Sequence, residues 1–505
     1  MFTDLDLALF FAIIIIVLFA GYMAYFWRKP ADMDAKGEWS LGGRRFGTVV
    51  MWFLLGGDLY TAYTLIAVPG AAATAHIGGG AFAMFAIAYG VMIYPIVYGT
   101  MPKLWNVSKR RGYITASDFV KDRFSSRSLA MIIALTGVLA ELPYIALQIT
   151  GIKYVLASLS LPITVSLIIA FILVAGFTFV SGLRGPALTS ILKDAIIWVA
   201  VIVIIIYIPI KLGGFGAIFG KAATISPHLL NISPVIDVGY TTLALGSALA
   251  LFLYPHAITG TLGAKDSKTI RRNASLLPLY NVLLMFVAIV GIMAVVYFNG
   301  YPKVSSEALP RLVLDLFPAS FTAFAFAAVV VGSIVPASIM ALASANLLTR
   351  NVYVEYINPN ASEKTQTNLS RVLVIVVIIA ALIFSLVPAA SGEIVYLQTI
   401  GGAFIMQTLP AVYLALFTRK LNKYPVAAGW AVGLTTTIVM LAELDFKSSL
   451  YADFHFVYIG VFALLLNLIV VGIGMAIMKG MNKVKDEGII ENSEFEDIEN
   501  MEEVG

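Results

Sequence analysis

The sequence contains no cysteine and few charged residues. Its 505 residues include 4 His, and Asp, Glu, Lys and Arg together make up only 12%, against roughly 25% in a typical soluble domain. Without cysteine the chain forms neither a disulfide framework nor a thiolate metal site, and its histidines show no zinc-binding pattern. No GxxxxGK[ST] phosphate-binding loop is present. We therefore expect no resident metal or cofactor, no enzymatic activity and no nucleic-acid partner.

Apolar residues, by contrast, are abundant and make up 60% of the chain. A water-soluble fold could not bury such a fraction, whereas about 20 apolar residues in a helix cross a hydrocarbon core about 30 Å thick. Runs of that length predict an all-α membrane protein with about thirteen transmembrane helices, which we name the first to the thirteenth span. The predicted starts lie near residues 7, 47, 80, 127, 161, 186, 238, 274, 320, 370, 393, 425 and 452.

Positive charge is unevenly distributed between alternate loops. If the N-terminus is outside, the inner loops hold most of the 33 Lys and Arg residues, with clusters at residues 44–45, 109–111 and 271–272. This bias predicts an outside N-terminus and a cytoplasmic C-terminus in the plasma membrane. Residues 485–505 are acidic and lack apolar periodicity, so we expect a disordered cytoplasmic tail.

The second span is interrupted by glycine and polar residues. Gly57 and Asp58 are followed by Tyr60, Thr61 and Tyr63. Since a bilayer tolerates a break in a helix only against protein or a water-filled cavity, the interruption predicts a binding site. The half-helix after the break would direct N–H groups and a positive dipole end at an anion. Alternatively, the glycine serves close helix packing and Asp58 is paired structurally.

The fourth span carries polar residues on one helical face. Glu141 and Gln148 are seven residues apart, with Tyr144 between them at a spacing that keeps all three on that face. A carboxylate near the middle of a span is costly when charged, which makes Glu141 a candidate proton carrier. The alternative is a structural pair in which Lys153 or Lys193 neutralises it.

Two further polar residues lie in otherwise apolar spans. His256 follows a proline at the end of the seventh span and could transfer protons near neutral pH, or it could be a hydrogen-bonded interfacial residue. Gln398 lies in the eleventh span and is a candidate for facing a cavity.

Several strings, in this order and at these spacings, resemble the sodium:solute symporter family, whose members carry proline, pantothenate, sugars or short monocarboxylates. They are SLGGRRFG, LIAVPGAA, YITASDFVKDRF, SGLRGPALTS, YPHAITGTLGAKDSKTIRRN and ASANLLTRNVY. The resemblance implies a leucine-transporter-like core of two inverted five-helix repeats with flanking helices. It also implies alternating access around a midplane site formed by discontinuous second and seventh spans.

The same resemblance implies boundaries for these parts. The expected segments are a first span with its loop (1–46), the first repeat (47–210), the second repeat (238–417), two C-terminal spans (418–484) and the acidic tail (485–505).

The sequence departs from the family where a sodium ion is expected. The positions that the resemblance assigns to the ion are Gly57 and Tyr60 in the second span and Gly332, Val335 and Pro336 in the ninth. Neither Val335 nor Pro336 has a side-chain oxygen, and Ser190 stands where the family has an acid. These changes favour proton coupling, or uniport, over sodium coupling. Because Pro336 frees a backbone carbonyl, an altered ion site is the alternative.

The substrate is suggested by YTAYTLIAVPGAA, GSIVPASIM and IMQTLPAVYLALFTR, which resemble the bacterial monocarboxylate permease branch. We expect a symporter for lactate, pyruvate or acetate whose partners are this small organic anion and the lipid bilayer. The expected substrate-binding residues are Tyr60, Thr61, Tyr63, Gln148 and Gln398, and the expected proton-handling residues are Asp58, Glu141 and His256. The alternatives are a sodium-coupled carrier of proline or another organic solute, and a transporter-like sensor or channel. The oligomeric state is not predicted.

Overall fold

The computed structural model describes residues 2–24, 26, 35, 37–57, 59–75, 79–159, 162–386, 394–484 and 488–498. Within these residues helices occupy the positions of all thirteen predicted spans. Ten helices are long and apolar enough to cross a bilayer, and the bent pair of the seventh span makes an eleventh. In span order the helices are Asp4–Ala24, Thr48–Gly57 with Tyr63–Ala72, Phe85–Arg111, Arg127–Ser158, Ile163–Ser181, Arg184–Lys211, Asp237–Leu251 with Pro255–Leu262, Pro278–Phe298, Ala319–Leu347, Glu363–Leu386, Val395–Ile405, Lys423–Glu443 and Ile459–Gly480. The protein is a multi-pass membrane protein.

Shorter elements connect the spans. The short α-helices are Glu38–Leu41, Ala116–Phe124, Phe215–Ile225, Ser267–Leu276, Ala308–Leu316 and Leu409–Val412. The 3-10 segments are Gly42–Arg44, Gly79–Met84, Pro227–Leu229, Ser305–Glu307, Met406–Thr408, Leu414–Leu416, Ala452–Phe454 and Asn492–Phe495. Tyr63–Ala67 and Leu348–Ile357 are π-helical.

An antiparallel hairpin precedes the thirteenth span. It pairs β1 (Leu450–Tyr451) with β2 (Val457–Tyr458). His455 and Phe456 have positive φ angles of 52° and 57°, which a helix of L residues does not accommodate. The prediction of a helix start near residue 452 is therefore wrong, and the span begins at Ile459.

The ninth span is the centre of the helix bundle. Its most apolar window is 100% buried, and the span packs against the first, fourth, sixth and tenth spans. The thirteenth span is peripheral, with 22% of its window buried. Large apolar side chains on the outer helices, such as Ile15, Ile206 and Ile383, are more than half exposed. Such a surface is suited to lipid and unsuited to water.

The acidic residues 488–498 lie against a basic face, which we define by the clusters at residues 109–111 and 271–272. Asp497 accepts hydrogen bonds of 2.7 Å and 3.1 Å from Arg271, and both oxygens of Glu494 lie 2.6 Å from Arg111 nitrogens. Ile490 is buried. Residues 488–498 therefore differ from the expected disordered tail. Their paired carboxylates and the buried Ile490 side chain offset the conformational entropy that is lost when the segment is ordered.

The docking of this segment is expected to weaken in acid. Hydrogen bonds from Arg111 hold the pKa of Glu494 below its usual value. Burial acts to raise the pKa of Asp497, but the hydrogen bonds from Arg271, Asn106 and Ser267 outweigh it and lower the pKa. A carboxyl group whose pKa is lowered by docking stabilises the docked segment at pH values above its ordinary pKa of about 4. That stabilisation is lost as the pH falls through the lowered pKa.

Because the chain has no native cysteine, a Ser493→Cys variant can carry one spin label in this segment. The label is expected to be immobile at neutral pH, and mobile below about pH 4 or at about 1 M salt, where screening reaches about 3 Å. Replacing both acids, Glu494→Gln with Asp497→Asn, should mobilise the label at neutral pH. Unchanged mobility of the label in this double variant would contradict docking through these carboxylates.

Candidate functional site

The second span is broken after Gly57, as predicted. Its first half ends at Gly57, the chain turns through residues 59–61, and helix resumes with the π-helical turn that begins at Tyr63. A break leaves carbonyls at the end of the first half without helical N–H donors. Asp58 lies outside the described residues.

An ammonium group lies against the carbonyls at this break. Lys193 Nζ, on the sixth span, donates to the carbonyl oxygens of Gly57 at 2.9 Å and Tyr60 at 2.8 Å, and forms a 2.5 Å ion pair with Asp194 Oδ1. The Tyr280 hydroxyl donates to Asp194 Oδ2 at 2.9 Å. Lys193 and Asp194 are fully buried. We call the Lys193 ammonium, the Asp194 carboxylate and the two carbonyls the ammonium cluster.

The ammonium cluster includes two of the positions that the resemblance assigned to an ion, since the carbonyls of Gly57 and Tyr60 both accept from Lys193. The ninth span passes beside them: a Cβ built on Gly332 would lie 3.9 Å from the Tyr60 carbonyl oxygen. Val335 and Pro336 are buried there without side-chain oxygens.

Nearby hydroxyl groups are engaged by their own helices. Ser333 donates to the carbonyl of Val329 at 2.8 Å, and Ser338 donates to that of Val335 at 2.6 Å. Ser190 donates to the carbonyl of its own helix four residues earlier. Among the described residues, no group of three or more His, Asp or Glu side chains could hold a metal ion.

Gln148, on the fourth span, covers another side of the break. Its Oε1 accepts the backbone N–H of Ala62 at 3.1 Å, and its Nε2 donates to Thr61 Oγ1 at 3.3 Å. Thr61 Oγ1 also accepts the backbone N–H of Tyr63 at 2.9 Å, and the Tyr63 side chain is buried. The structure thus brings the predicted residues Thr61 and Gln148 together. It also shows that two N–H groups expected to face an anion are bound to protein oxygens in this conformation.

Glu141 and His256 form a second buried pair. Glu141 Oε1 lies 2.7 Å from His256 Nδ1 and accepts the backbone N–H of His256 at 3.0 Å. Both side chains are fully buried within the protein. Because His256 is the second residue of Pro255–Leu262, the carboxylate also lies at the positive end of that half-helix. Among the described residues, neither of the two lysines considered as its partner pairs with Glu141: Lys193 pairs with Asp194, and the Lys153 ammonium lies 5.7 Å from the centre of its neighbour's tyrosine ring.

Aromatic rings lie against His256 of this pair, and one of them contacts Gln398. The Tyr144 and Tyr254 rings lie 5.5 Å and 5.3 Å from the His256 ring. Tyr254 donates its hydroxyl to the carbonyl of Gln398 at 2.8 Å. Within the described part of the chain, Glu141 Oε2 and Gln398 Oε1 are buried without a hydrogen-bond partner. Such atoms are unusual in a stable interior and suggest groups that bind a ligand or a proton.

A cavity of about 20 Å³ lies next to the Glu141–His256 pair, which is enough space for one water. Its walls come from residues 115–117 and from the fourth, seventh, ninth and eleventh spans. Gly137, one helical turn before Glu141, and Pro255, next to His256, both line it. The cavity therefore lies close to the buried pair, although neither Glu141 nor His256 lines it.

Sequence reasoning did not select Asp194 or Tyr280 as site residues, and it considered Lys193 as a possible neutraliser of acids. One feature of the sequence could have identified this site, namely the adjacent Lys193 and Asp194 inside an otherwise apolar span. Ionisable residues in a membrane span are energetically costly and therefore usually functional. The spacing along one helix did not reveal which residues face it from other helices.

A family model and a solved structure both match this chain over most of its length. The family model of the sodium:solute symporter family matches residues 39–433. A Na+-coupled sialic acid symporter, solved in a substrate-bound outward-open state, superimposes with a TM-score of 0.74 at 16% identity, over 95% of this chain and 98% of that one. That likeness shows a common leucine-transporter-like fold.

The sequence relatives have the names of transport proteins. A monocarboxylate transport permease protein of Rhizobium johnstonii is 39% identical, covering 96% of this chain and 99% of the relative. The uncharacterized symporter YodF of Bacillus subtilis is 36% identical, with 91% and 90% covered. A sodium/proline symporter of Escherichia coli is 23% identical, with 84% and 85% covered. The chain belongs to the sodium:solute symporter family.

Proposed function

We propose that the protein is a proton-coupled symporter of short monocarboxylates such as lactate, pyruvate or acetate. It works by alternating access in the plasma membrane, with its N-terminus outside and its C-terminus in the cytoplasm. The observation that carries the coupling is the fully buried Glu141–His256 pair beside a cavity. The substrate class is supported by 39% identity to a monocarboxylate transport permease protein.

The Glu141–His256 pair suits reversible proton binding. A carboxylate and a neutral imidazole in contact carry one negative charge, and one added proton makes the pair neutral overall. A buried net charge is unfavourable, whereas an ion pair with good hydrogen bonds is tolerated. When a proton and a carboxylate anion cross together, no net charge crosses the bilayer, which lowers the barrier. Asp58 stays a predicted second proton site.

The carboxylate is expected to bind at the break of the second span. There it would replace Gln148 Oε1 as the acceptor of the Ala62 N–H and accept further hydrogen bonds from Thr61 and from the Gln148 amide. Gln148 and Glu141 lie on the same helix, seven residues or about 10 Å apart along its axis. At that distance in a buried site, the charge of the anion favours protonation of the Glu141–His256 pair.

Gln148→Ala is expected to raise the KM for lactate and to lower the Tm by a few degrees. The substitution leaves the buried Ala62 N–H without its acceptor, which costs about 1–3 kcal/mol, and removes a donor to the substrate. KM is measured by uptake into proteoliposomes, and Tm by thermal unfolding of the purified protein. Gln407→Ala is the matched control, because Gln407 is buried, donates to the carbonyls of Ala403 and Gly460, and accepts a hydrogen bond from the Asn467 amide. It should lower the Tm without changing KM, and equal KM effects of both variants would contradict a substrate contact of Gln148.

The proposed function is tested by uptake of labelled lactate and acetate into proteoliposomes. Accumulation under an inside-alkaline pH gradient, above that of protein-free vesicles, supports proton-coupled monocarboxylate transport. Accumulation that requires a sodium gradient at fixed pH contradicts proton coupling and favours the sodium-linked alternative. If neither acid accumulates, labelled proline tests the second candidate substrate, which the likeness to a sodium/proline symporter favours. Counterflow exchange of unlabelled for labelled solute distinguishes a carrier from a channel or a sensor.

A further inference from the structure

The break in the second span surrounds the Lys193 ammonium with oxygen atoms. Two carbonyl oxygens at the break and one carboxylate oxygen of Asp194 lie within 2.9 Å of Lys193 Nζ. Hard cations such as Na+ prefer oxygen ligands of these kinds. We infer that Lys193 is a tethered cation at this break, and that removing its ammonium exposes a binding site for a sodium ion formed by the Gly57 and Tyr60 carbonyls and Asp194.

Several contacts fix these oxygens independently of the ammonium. Tyr280 donates to Asp194, and Tyr60 donates its own hydroxyl to the carbonyl of Tyr280 at 2.7 Å. The rings of Tyr60 and Tyr280 pack with their centres 4.5 Å apart. The second, sixth and eighth spans are therefore held around one point, and an ion that replaced the ammonium would find the carboxylate and the carbonyls already in place.

The backbone near the cluster leaves room for an ion and supplies another oxygen. A Cβ on Gly57 would lie 3.2 Å from Lys193 Nζ and 3.2 Å from Asp194 Oδ2, so glycine allows this close approach. Pro336 has no N–H, which leaves the carbonyl of Gly332 without its helical donor. Gly332 lies beside the Tyr60 carbonyl. Loss of the Lys193 side chain would add the volume of its aliphatic part to this space.

A covalently attached cation cannot leave with the substrate. Each transport cycle therefore returns the Lys193 side chain with the protein, and no sodium ion is released with the substrate from this position. Under the proposed function, coupling to protons is assigned to the Glu141–His256 pair. The cation site itself can be tested without any substrate, so its outcome and that of the proposed function are distinguishable.

The test compares the Tm of the purified full-length protein in sodium chloride and in choline chloride at equal ionic strength. The wild-type Tm is expected to be the same in both salts. Lys193→Ala leaves Asp194 unpaired, so its Tm should fall in choline and recover by about 2–5 °C in sodium, through binding to the folded state. Adding Asp194→Asn to this variant should abolish the sodium effect. Lys153→Ala, which removes a lysine from the fourth span, is the matched control and should show no sodium effect.

Equilibrium binding of labelled sodium gives a second readout. Wild-type protein is expected to bind none, and saturable binding by the wild type would overturn the inference. A folded Lys193→Ala variant that neither binds sodium nor is stabilised by it would overturn the inference as well. If Lys193→Ala does not fold, Lys193→Gln provides the same comparison with a neutral side chain of similar length. Because these assays contain no carboxylic acid, a failure of lactate uptake would contradict the proposed function and leave the cation site standing.

Discussion

Glu141→Gln is expected to abolish the accumulation of lactate driven by an inside-alkaline pH gradient, while exchange of labelled for unlabelled lactate stays measurable. The amide keeps the size of the carboxyl group, and its oxygen can still accept the backbone N–H of His256. It cannot bind and release a proton. Initial uphill uptake should fall by about 100-fold or more, the range in which loss of a positioned proton-transfer group acts. Exchange needs only the movement of the loaded carrier and therefore does not require net proton release.

The control for this variant is Glu443→Gln. Glu443 accepts a hydrogen bond from the Tyr451 hydroxyl at an exposed position next to the hairpin, so its replacement should leave both accumulation and exchange as in the wild type. Both variants are assayed in the same proteoliposomes, with the amount of inserted protein measured. Normal uphill uptake by Glu141→Gln would remove Glu141 from the proton path and leave Asp58 as the predicted carrier.

The helices and the break in the second span could be predicted because their causes are local. Helices that cross a bilayer require long apolar runs. Gly57 and the polar residues after it interrupt such a run, and the first helix of the second span ends there. The same local reasoning placed Glu141 and Gln148 on one face of the fourth span. Both side chains do reach the discontinuous spans: Gln148 reaches Ala62 after the break, and Glu141 reaches His256.

The partners of these side chains could not be predicted, because they are distant in sequence. Glu141 and His256 are 115 residues apart, and Lys193 is 136 residues from Gly57. Periodicity identifies the face of a helix and gives no information on the helix that packs against it. For this reason Lys193 was considered a possible partner of Glu141, although its ammonium reaches the second span and its own neighbour Asp194.

The tail shows the limit of reasoning from composition. An acidic segment without apolar periodicity is usually disordered because it buries too little apolar surface. Here, Glu494 and Asp497 meet the arginines of other segments, and the resulting charge-assisted bonds have defined geometry. Only the folded arrangement of residues 109–111 and 271–272 provides that surface.

Asp194→Asn is expected to destabilise the protein more than any other single change discussed above. It leaves the Lys193 ammonium buried with two carbonyls but without a counter-charge, and breaking a buried pair by removing one partner costs about 3–5 kcal/mol. For a protein of this size, with an unfolding entropy of about 2.1 cal/mol/K per residue, we expect the Tm to fall by about 3–5 °C, measured by thermal unfolding in detergent. The effect should be independent of substrate, because the ion pair is fully buried in the absence of any bound acid.

The double variant Lys193→Met with Asp194→Asn should regain most of this loss, because it removes the unpaired charge, and Asn can still accept the hydrogen bond from Tyr280. Asp445→Asn is the matched control. Asp445 forms a 3.0 Å ion pair with Lys447, but both side chains are more than half exposed, so its removal should change stability by less than about 1 kcal/mol. An Asp194→Asn protein as stable as the wild type would show that the Lys193–Asp194 ion pair does not stabilise the break in the second span. A double variant no more stable than the single one would show that the loss comes from packing around Asp194 and not from the unpaired ammonium.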